Sequence, residues 1–284
     1  MTISRVAIIG GGTMGSGIAE VCARSGLDTI VVEVQPDYAE YARERIVKSL
    51  DSSLSRERIT AEERDEAVGN LGFTVDMGDL GDRDLVIEAV IESEDEKLSV
   101  FGRLDKVTPE HTILATNTSS IPIITISSAT ERPDRVLGMH FFNPAPVQPL
   151  VELVSSLRTS PDIIDSVQSF SEDVLGKHVI RCRDRAGFVV NRLLIPYLLS
   201  AITMADSGLI ARPDIDAGMK YGCAHPMGPL ELSDLIGLDT VMAVAEVLYE
   251  EFKEPLYAPP PLLRRMVAAG HLGRKSGQGF YEYA

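Results

Sequence analysis

Apolar residues recur with two different periods along this chain, and the change from one to the other divides it. In the first two thirds, short β-branched runs alternate with amphipathic stretches of helical period. Residues 6–9 ("VAII") read as a buried strand, and residues 14–25 as the helix that follows. "TIVVEV" (29–34), "DLVIEAV" (84–90), "TILAT" (112–116), "RVLGMHFF" (135–142) and "PLVELV" (149–154) read as further strands. Helical patterns lie between them over about 36–54, 60–70 and 95–107. Strands that alternate with helices predict a mostly parallel sheet covered on both faces.

Near residue 184 the pattern changes. "RCRDRAG" (181–187) is polar and reads as a boundary. Beyond it only helical periods follow, over about 187–206, 212–221, 229–236, 239–252 and 261–269, with no convincing strand until the last residues. "APPP" (258–261) is expected to be a non-helical connection. The expectation is an α/β domain over 1–184, with a helical arm at about 36–70, and a smaller all-helical domain over 185–284. A chain of 284 residues is long enough for both.

Composition narrows the function classes. Hydrophobic residues make up 44% and charged residues 24%, a soluble globular profile. No apolar run approaches the ~20 residues of a membrane span, so no membrane partner is expected. A strand pattern within the first residues leaves no room for a targeting peptide. Cys22, Cys182 and Cys223 have no metal-ligand spacing, and their odd number argues against a disulfide framework. A reducing cytoplasm fits best. The net charge of −15 argues against nucleic-acid binding, which needs a basic face. Any anion site must then be made locally. Residues 43–58 carry Arg43, Arg45, Lys48, Arg56 and Arg58 against Glu44, Asp51 and Glu57. On composition alone that stretch reads as a solvated helix face.

The first strand and helix flank Gly10-x-Gly12-x-x-Gly15, with Thr13 and Met14 inside the motif. Gly10 permits a tight turn, Gly12 lets backbone approach a pyrophosphate, and Gly15 allows close helix–strand packing. The helix starting near Thr13 offers free N–H groups and a positive dipole end to that pyrophosphate. The fold expected is Rossmann-type. Glu33 ends the second strand pattern, where a carboxylate can accept from the adenosine ribose hydroxyls and repel a 2′-phosphate. No arginine lies just after it, so NAD is favoured over NADP. A solvated strand-end glutamate is the alternative.

His140 stands in "GMHFFNPAP", where a strand ends, and on its own reads more readily as a core histidine than as a base. Glu152 changes that balance. It is a carboxylate inside an apolar run, and a buried unpaired carboxylate costs several kcal/mol. "NPAPVQP" can bring the two side chains together, giving a general base and the carboxylate that orients it. Asn191, in "GFVVNRLLIPYLL", is a third polar group in an apolar context. It reads alternatively as a helix-surface residue or as a partner for the carbonyl that Pro196 leaves free. "TNTSS" (116–120) follows a strand and so faces the ligand crevice of an open α/β sheet, which puts Ser119 near a bound nicotinamide. The histidines have no ligand partners at useful spacing, so no metal is expected.

Together, "GGGTMGSGIA", "NTSS", "HFFNPAP", "LVELV", "GFVVNRLL", "HPMGPLELSDLIGLD" and "GQGFYEY" resemble the L-3-hydroxyacyl-CoA dehydrogenase family, whose short bacterial members are often called 3-hydroxybutyryl-CoA dehydrogenases. The resemblance runs from about residue 5 to 284. It implies NAD-linked interconversion of an (S)-3-hydroxyacyl-CoA and a 3-ketoacyl-CoA, with His140 as catalytic base and Glu152 as its paired carboxylate. It further implies that Ser119 and Asn191 position substrate oxygens and the base. Glu92, Lys97 and Lys275 match cofactor-contacting positions, and Ser49 and Arg56 match positions touching CoA. Family members usually carry aspartate where this chain has Glu33. Two other readings stay open, a related NAD-dependent dehydrogenase of a non-CoA hydroxy acid and a non-catalytic NAD-binding sensor. The apolar surface of "GLDTVMAVAEVL" (237–248), with the resemblance, leads to the expectation of a homodimer through the helical domain.

Overall fold

The computed structural model describes residues 2–283 and divides into one unit ending at Arg185 and a second beginning at Ala186. The first unit is built in chain order from β1 (Arg5–Ile9), α1 (Thr13–Arg24), β2 (Asp28–Val32), α2 (Pro36–Ser55), α3 (Ala61–Gly69), β3 (Leu71–Thr74), β4 (Leu85–Glu88) and α4 (Glu94–Val107). It continues with β5 (Ile113–Thr116), α5 (Ile123–Ser127), β6 (Val136–Phe141), β7 (Leu150–Ser155), α6 (Pro161–Ser169) and β8 (His178–Arg183). The eight strands form one sheet in the order β3-β2-β1-β4-β5-β6-β7-β8. Every neighbouring pair is parallel except β6–β7, which is antiparallel. That exception follows from the connection, because residues 142–149 are too few for a parallel crossover.

Strand order reverses between β1 and β4, so the crevice above their C-terminal ends is where an open α/β sheet binds ligand. Central strands are apolar on both faces, as a sheet covered by helices demands. β4 and β5 are buried at every position. Ile8, Val31, Ile87, Ile113 and Leu137 meet Ile18 of α1 and Ile46 and Leu50 of α2 in one core. Pro36 opens α2 at its first turn, where the missing N–H is not needed.

Several elements differ from the sequence reading. Glu33 stands one residue beyond β2, which ends at Val32, and the strand patterns at 84–90 and 135–142 shorten to β4 and β6. The 36–70 arm is two helices, α3 opening on a capping box between Thr60 and Glu63. β3 is an added edge strand, four half-buried residues that include a glycine, too short and mixed to show a period. β8 occupies the first half of the supposed boundary. Its charged positions face outward at the free edge of the sheet, so it reads as polar. Asp184, just after it, accepts from the N–H groups of Ile123 and Ile124 and so caps α5, which the sequence reading did not find. α6 was likewise absent from that reading.

The second unit contains α7 (Val190–Asp206), α8 (Arg212–Gly222), α9 (Pro229–Ile236), α10 (Leu238–Phe252) and α11 (Pro261–Ala268). Pro261 is the first residue of α11, so only 258–260 of "APPP" is connection. Isolated bridges join Gly273 to Gln278 and Gln278 to Glu282. Two buried aspartates organise the unit. Asp216 accepts from the N–H groups of Leu230 and Glu231 at the start of α9 and from the Tyr281 hydroxyl. Asp234 accepts from the N–H groups of Phe280 and Tyr281 and from the Tyr283 hydroxyl. The closing "GFYEY" is thus tied to α8 and α9. Leu238, Val241, Ala245 and Leu248 of "GLDTVMAVAEVL" are spent in the unit's own core rather than on an outer surface.

Candidate active site and cofactor crevice

The glycine turn fits a dinucleotide pyrophosphate by its geometry. Gly10 has φ +93°, a conformation side chains rarely adopt, and a Cβ on Gly15 would drive into the Gly10 carbonyl. A Cβ on Gly12 would meet nothing within 4 Å, so backbone there is open to an approaching group. Gly12 starts α1 with no side-chain cap, and its first turn carries no acidic residue. Its N–H groups and dipole are therefore available to an anion.

Glu33 turns back onto this loop. Its Oε1 accepts from Gly11 N at 2.6 Å and its Oε2 from Val34 N at 3.2 Å. A second side chain holds the same glycine from its other end. Arg45, on α2, donates from Nη1 to the Gly11 carbonyl at 2.6 Å. No arginine directly follows Glu33 along the chain. The fold supplies one from the facing helix.

At the ends of β4 and β5 lies a buried charge network. Glu88 is fully buried and accepts from Lys97 Nζ at 2.6 Å, Val90 N at 2.7 Å and the Thr116 hydroxyl at 2.7 Å. Lys97 is 1% exposed, and Glu92 Oε2 lies 3.3 Å from its Nζ. Glu92 Oε1 then gathers the loop after β5. It accepts from the Thr118 hydroxyl at 2.6 Å, Ser119 N at 3.0 Å, Ser120 N at 3.1 Å and the Ser120 hydroxyl at 2.7 Å. Burial works against its charge, but Lys97 and these donors hold the Glu92 carboxyl below the usual range. Lys97 is therefore spent on two carboxylates, and its visible work is to position Glu92 and, through it, Ser119. Glu88 was missed at the sequence level. The signal was there, a carboxylate within the apolar run "DLVIEAV", the same signal that singled out Glu152.

Across the sheet, β6 and β7 pair with His140 opposite Glu152 and Met139 opposite Leu153. Paired positions share a face, and a slip of one residue would send Glu152 to the other side. The ring Nδ1–H donates to Glu152 Oε2 at 2.8 Å. His140 is 7% exposed and Glu152 0%. Asn117 Oδ1 accepts from Phe141 N at 2.8 Å, which ties the Ser119 loop to the strand end that carries His140. Phe142 meets the imidazole edge-on, with ring centroids 4.7 Å apart.

Four further expected residues are carried by other elements. Ser49 sits half-buried on α2, and Arg56 is exposed just past its end, seven positions on and so on the same helix face. Ser49 faces Glu20 of α1, a 1% exposed carboxylate that burial pushes above its usual range, with Ser49 and Arg24 opposing. Asn191 and Lys275 belong to the second unit. Asn191 is half-buried in the first turn of α7. Lys275 Nζ donates to Asp239 at 2.6 Å. Among the described residues no group of three or more His, Cys, Asp or Glu is placed to hold a metal ion, and no helix is long and apolar enough to cross a membrane.

Comparison with known proteins decides the family. Residues 5–185 match the family model described as "3-hydroxyacyl-CoA dehydrogenase, NAD binding domain", and residues 187–283 match "3-hydroxyacyl-CoA dehydrogenase, C-terminal domain". The chain belongs to the 3-hydroxyacyl-CoA dehydrogenase family. It is an NAD-dependent oxidoreductase of that family, with a Rossmann domain followed by a helical one. It is 55% identical over 282 residues to a 3-hydroxybutyryl-CoA dehydrogenase of Mycobacterium tuberculosis, covering 99% of each chain. It is 40% identical to the human mitochondrial hydroxyacyl-coenzyme A dehydrogenase, covering 99% of this chain and 91% of that one. The crystal structure of (S)-3-hydroxybutyryl-CoA dehydrogenase PaaH1 from Ralstonia eutropha superposes with a TM-score of 0.96 at 44% identity, covering all of both chains.

Proposed function

We propose that this member of the family interconverts (S)-3-hydroxybutyryl-CoA and acetoacetyl-CoA, with His140 and Glu152 as its general acid/base pair. The observation that carries the acid/base reading is the buried cross-strand hydrogen bond from His140 Nδ1 to Glu152 Oε2 at 2.8 Å. The full-length identity to 3-hydroxybutyryl-CoA dehydrogenases supports the substrate. NAD, when bound, accepts or returns the hydride at C3 of the substrate. The first turn of α1 and Gly12 would hold its pyrophosphate, and Glu33 its adenosine ribose. In oxidation, Nε2 of His140 takes the hydroxyl proton while Glu152, holding the Nδ1 proton, lowers the cost of the imidazolium. In reduction, the same nitrogen returns that proton to the oxygen. Ser119, on a loop fixed by Glu92, helps orient the substrate oxygen. Lys97 supports the cofactor crevice through Glu92. Asn191 and Lys275 serve substrate and cofactor as the family resemblance implies, and Ser49 and Arg56 face the CoA portion.

The helical unit exposes Leu193, Leu209 and Tyr221, and these support the reading that it pairs with a second copy. The deciding experiment offers the purified protein NADH with acetoacetyl-CoA and, separately, with free acetoacetate. Fast NADH oxidation with the thioester alone is the expected result. Equal or better turnover of the free acid would transfer the activity to non-CoA hydroxy acids, and NADH binding without turnover of either would favour a sensor.

A further inference from the structure

Two opposite charges grip one glycine at the ribose end of the crevice, and only the negative one has a part in the mechanism. Glu33 holds the Gly11 N–H and Arg45 holds the Gly11 carbonyl, each at 2.6 Å. The carboxylate and the guanidinium thus flank a single residue of the turn that receives the cofactor. The arrangement is built in. Ala42 is fully buried, and a Cβ on Gly11 would collide with it, so α2 is packed against the turn and carries Arg45 three positions further on.

We propose that Arg45 is the second determinant of cofactor choice, a phosphate-ready cation seated beside Glu33 that makes this site one charge away from accepting NADP. A carboxylate at the ribose hydroxyls repels a 2′-phosphate, whereas a nearby arginine accommodates one. Guanidinium groups match phosphate with paired, charge-assisted hydrogen bonds. In the native chain the Glu33 carboxylate would repel a 2′-phosphate, and Arg45 is held to the Gly11 carbonyl. With Glu33 uncharged, the flexible arginine can turn from that carbonyl to the phosphate. This inference rests on the reading that Glu33 faces the adenosine ribose.

The test is a double-variant cycle read by binding, with NADH and NADPH titrated separately by their own fluorescence. Glu33→Gln should lower the ratio of the NADPH to the NADH dissociation constant by at least roughly tenfold, since it removes a like-charge repulsion. Adding Arg45→Gln should erase most of that gain, and adding Arg45→Lys instead should keep a substantial part of it. Arg45→Gln alone should raise the ratio. If Arg45 were only a strut for the glycine turn, its loss would weaken both cofactors equally and leave the ratio unmoved, and that outcome overturns the proposal. So does a Glu33→Gln gain of the same size with and without Arg45. Failure of the parent protein to bind NADH at all is a separate result, which removes the functional reading and this inference together. Thermal melts of each variant confirm that the ratio is measured on folded protein.

Discussion

Replacing Glu152 by glutamine keeps the shape of the side chain and removes its charge, which isolates what the carboxylate does for His140. The bond at stake runs from Nδ1 to Oε2 at 2.8 Å between groups that are 7% and 0% exposed. A hydrogen bond to a charged partner contributes about 1.5–3 kcal/mol, and each ~1.4 kcal/mol of barrier is tenfold in rate. The bond alone therefore accounts for a loss of roughly 10- to 150-fold. Glutamine can also present its own N–H to Nδ1, which moves the ring proton to Nε2, where the base must accept. An equivalent exchange in a serine protease triad costs about 10⁴. The expected fall in kcat for NADH oxidation by acetoacetyl-CoA thus lies between roughly 10² and 10⁴. NADH affinity, measured by fluorescence titration, should stay within about twofold, because Glu152 lies outside the glycine turn. A kcat within about threefold of the parent, on protein with an unchanged melt, would refute the reasoning.

Lys97→Met leaves the buried Glu88 without its cation, and breaking such a pair costs roughly 3–5 kcal/mol. Chemical denaturation should show that loss, together with weaker NADH binding as Glu92 and the Ser119 loop relax. Glu20→Gln should leave the fold at least as stable at neutral pH. Burial raises the folded-state value of Glu20 above its ordinary 4.5, so its contribution is complete below that pH and is lost as pH rises through the raised value. Urea titrations at pH 5 and pH 8 should therefore show a smaller decline for the variant than for the parent. Gly15→Ala forces a methyl into the Gly10 carbonyl, and isothermal titration should register loss of NADH binding or of the fold itself.

The doubly wound sheet was legible because central strands buried on both faces are continuous apolar runs. Its edges were not. β3 is too short to show a period, and β8 faces solvent along one side, so its arginines imitate a domain boundary. The site divides in the same way. His140 and Glu152 were paired from one principle, that a carboxylate in an apolar strand needs a partner, and the antiparallel register supplies the geometry. Applied once more, the principle would have found Glu88 and shown that Lys97 has a carboxylate to neutralise before it meets any cofactor. Arg45 lay in a stretch that composition assigns to solvent. Only the packing of α2 on the glycine turn reveals its partner, a relation between residues 34 apart that no local pattern encodes. Of "GLDTVMAVAEVL", Leu238, Val241, Ala245 and Leu248 turn into the unit's own core, because a helical period fits such a core as well as an outer surface.

The central claim is that His140 exchanges the substrate proton, and the most direct test is turnover by His140→Gln with NADH and acetoacetyl-CoA. Losing a general acid/base group predicts a kcat lower by about 10²- to 10⁴-fold with NADH binding intact. Turnover within threefold of the parent, in folded protein that binds NADH normally, would contradict the account.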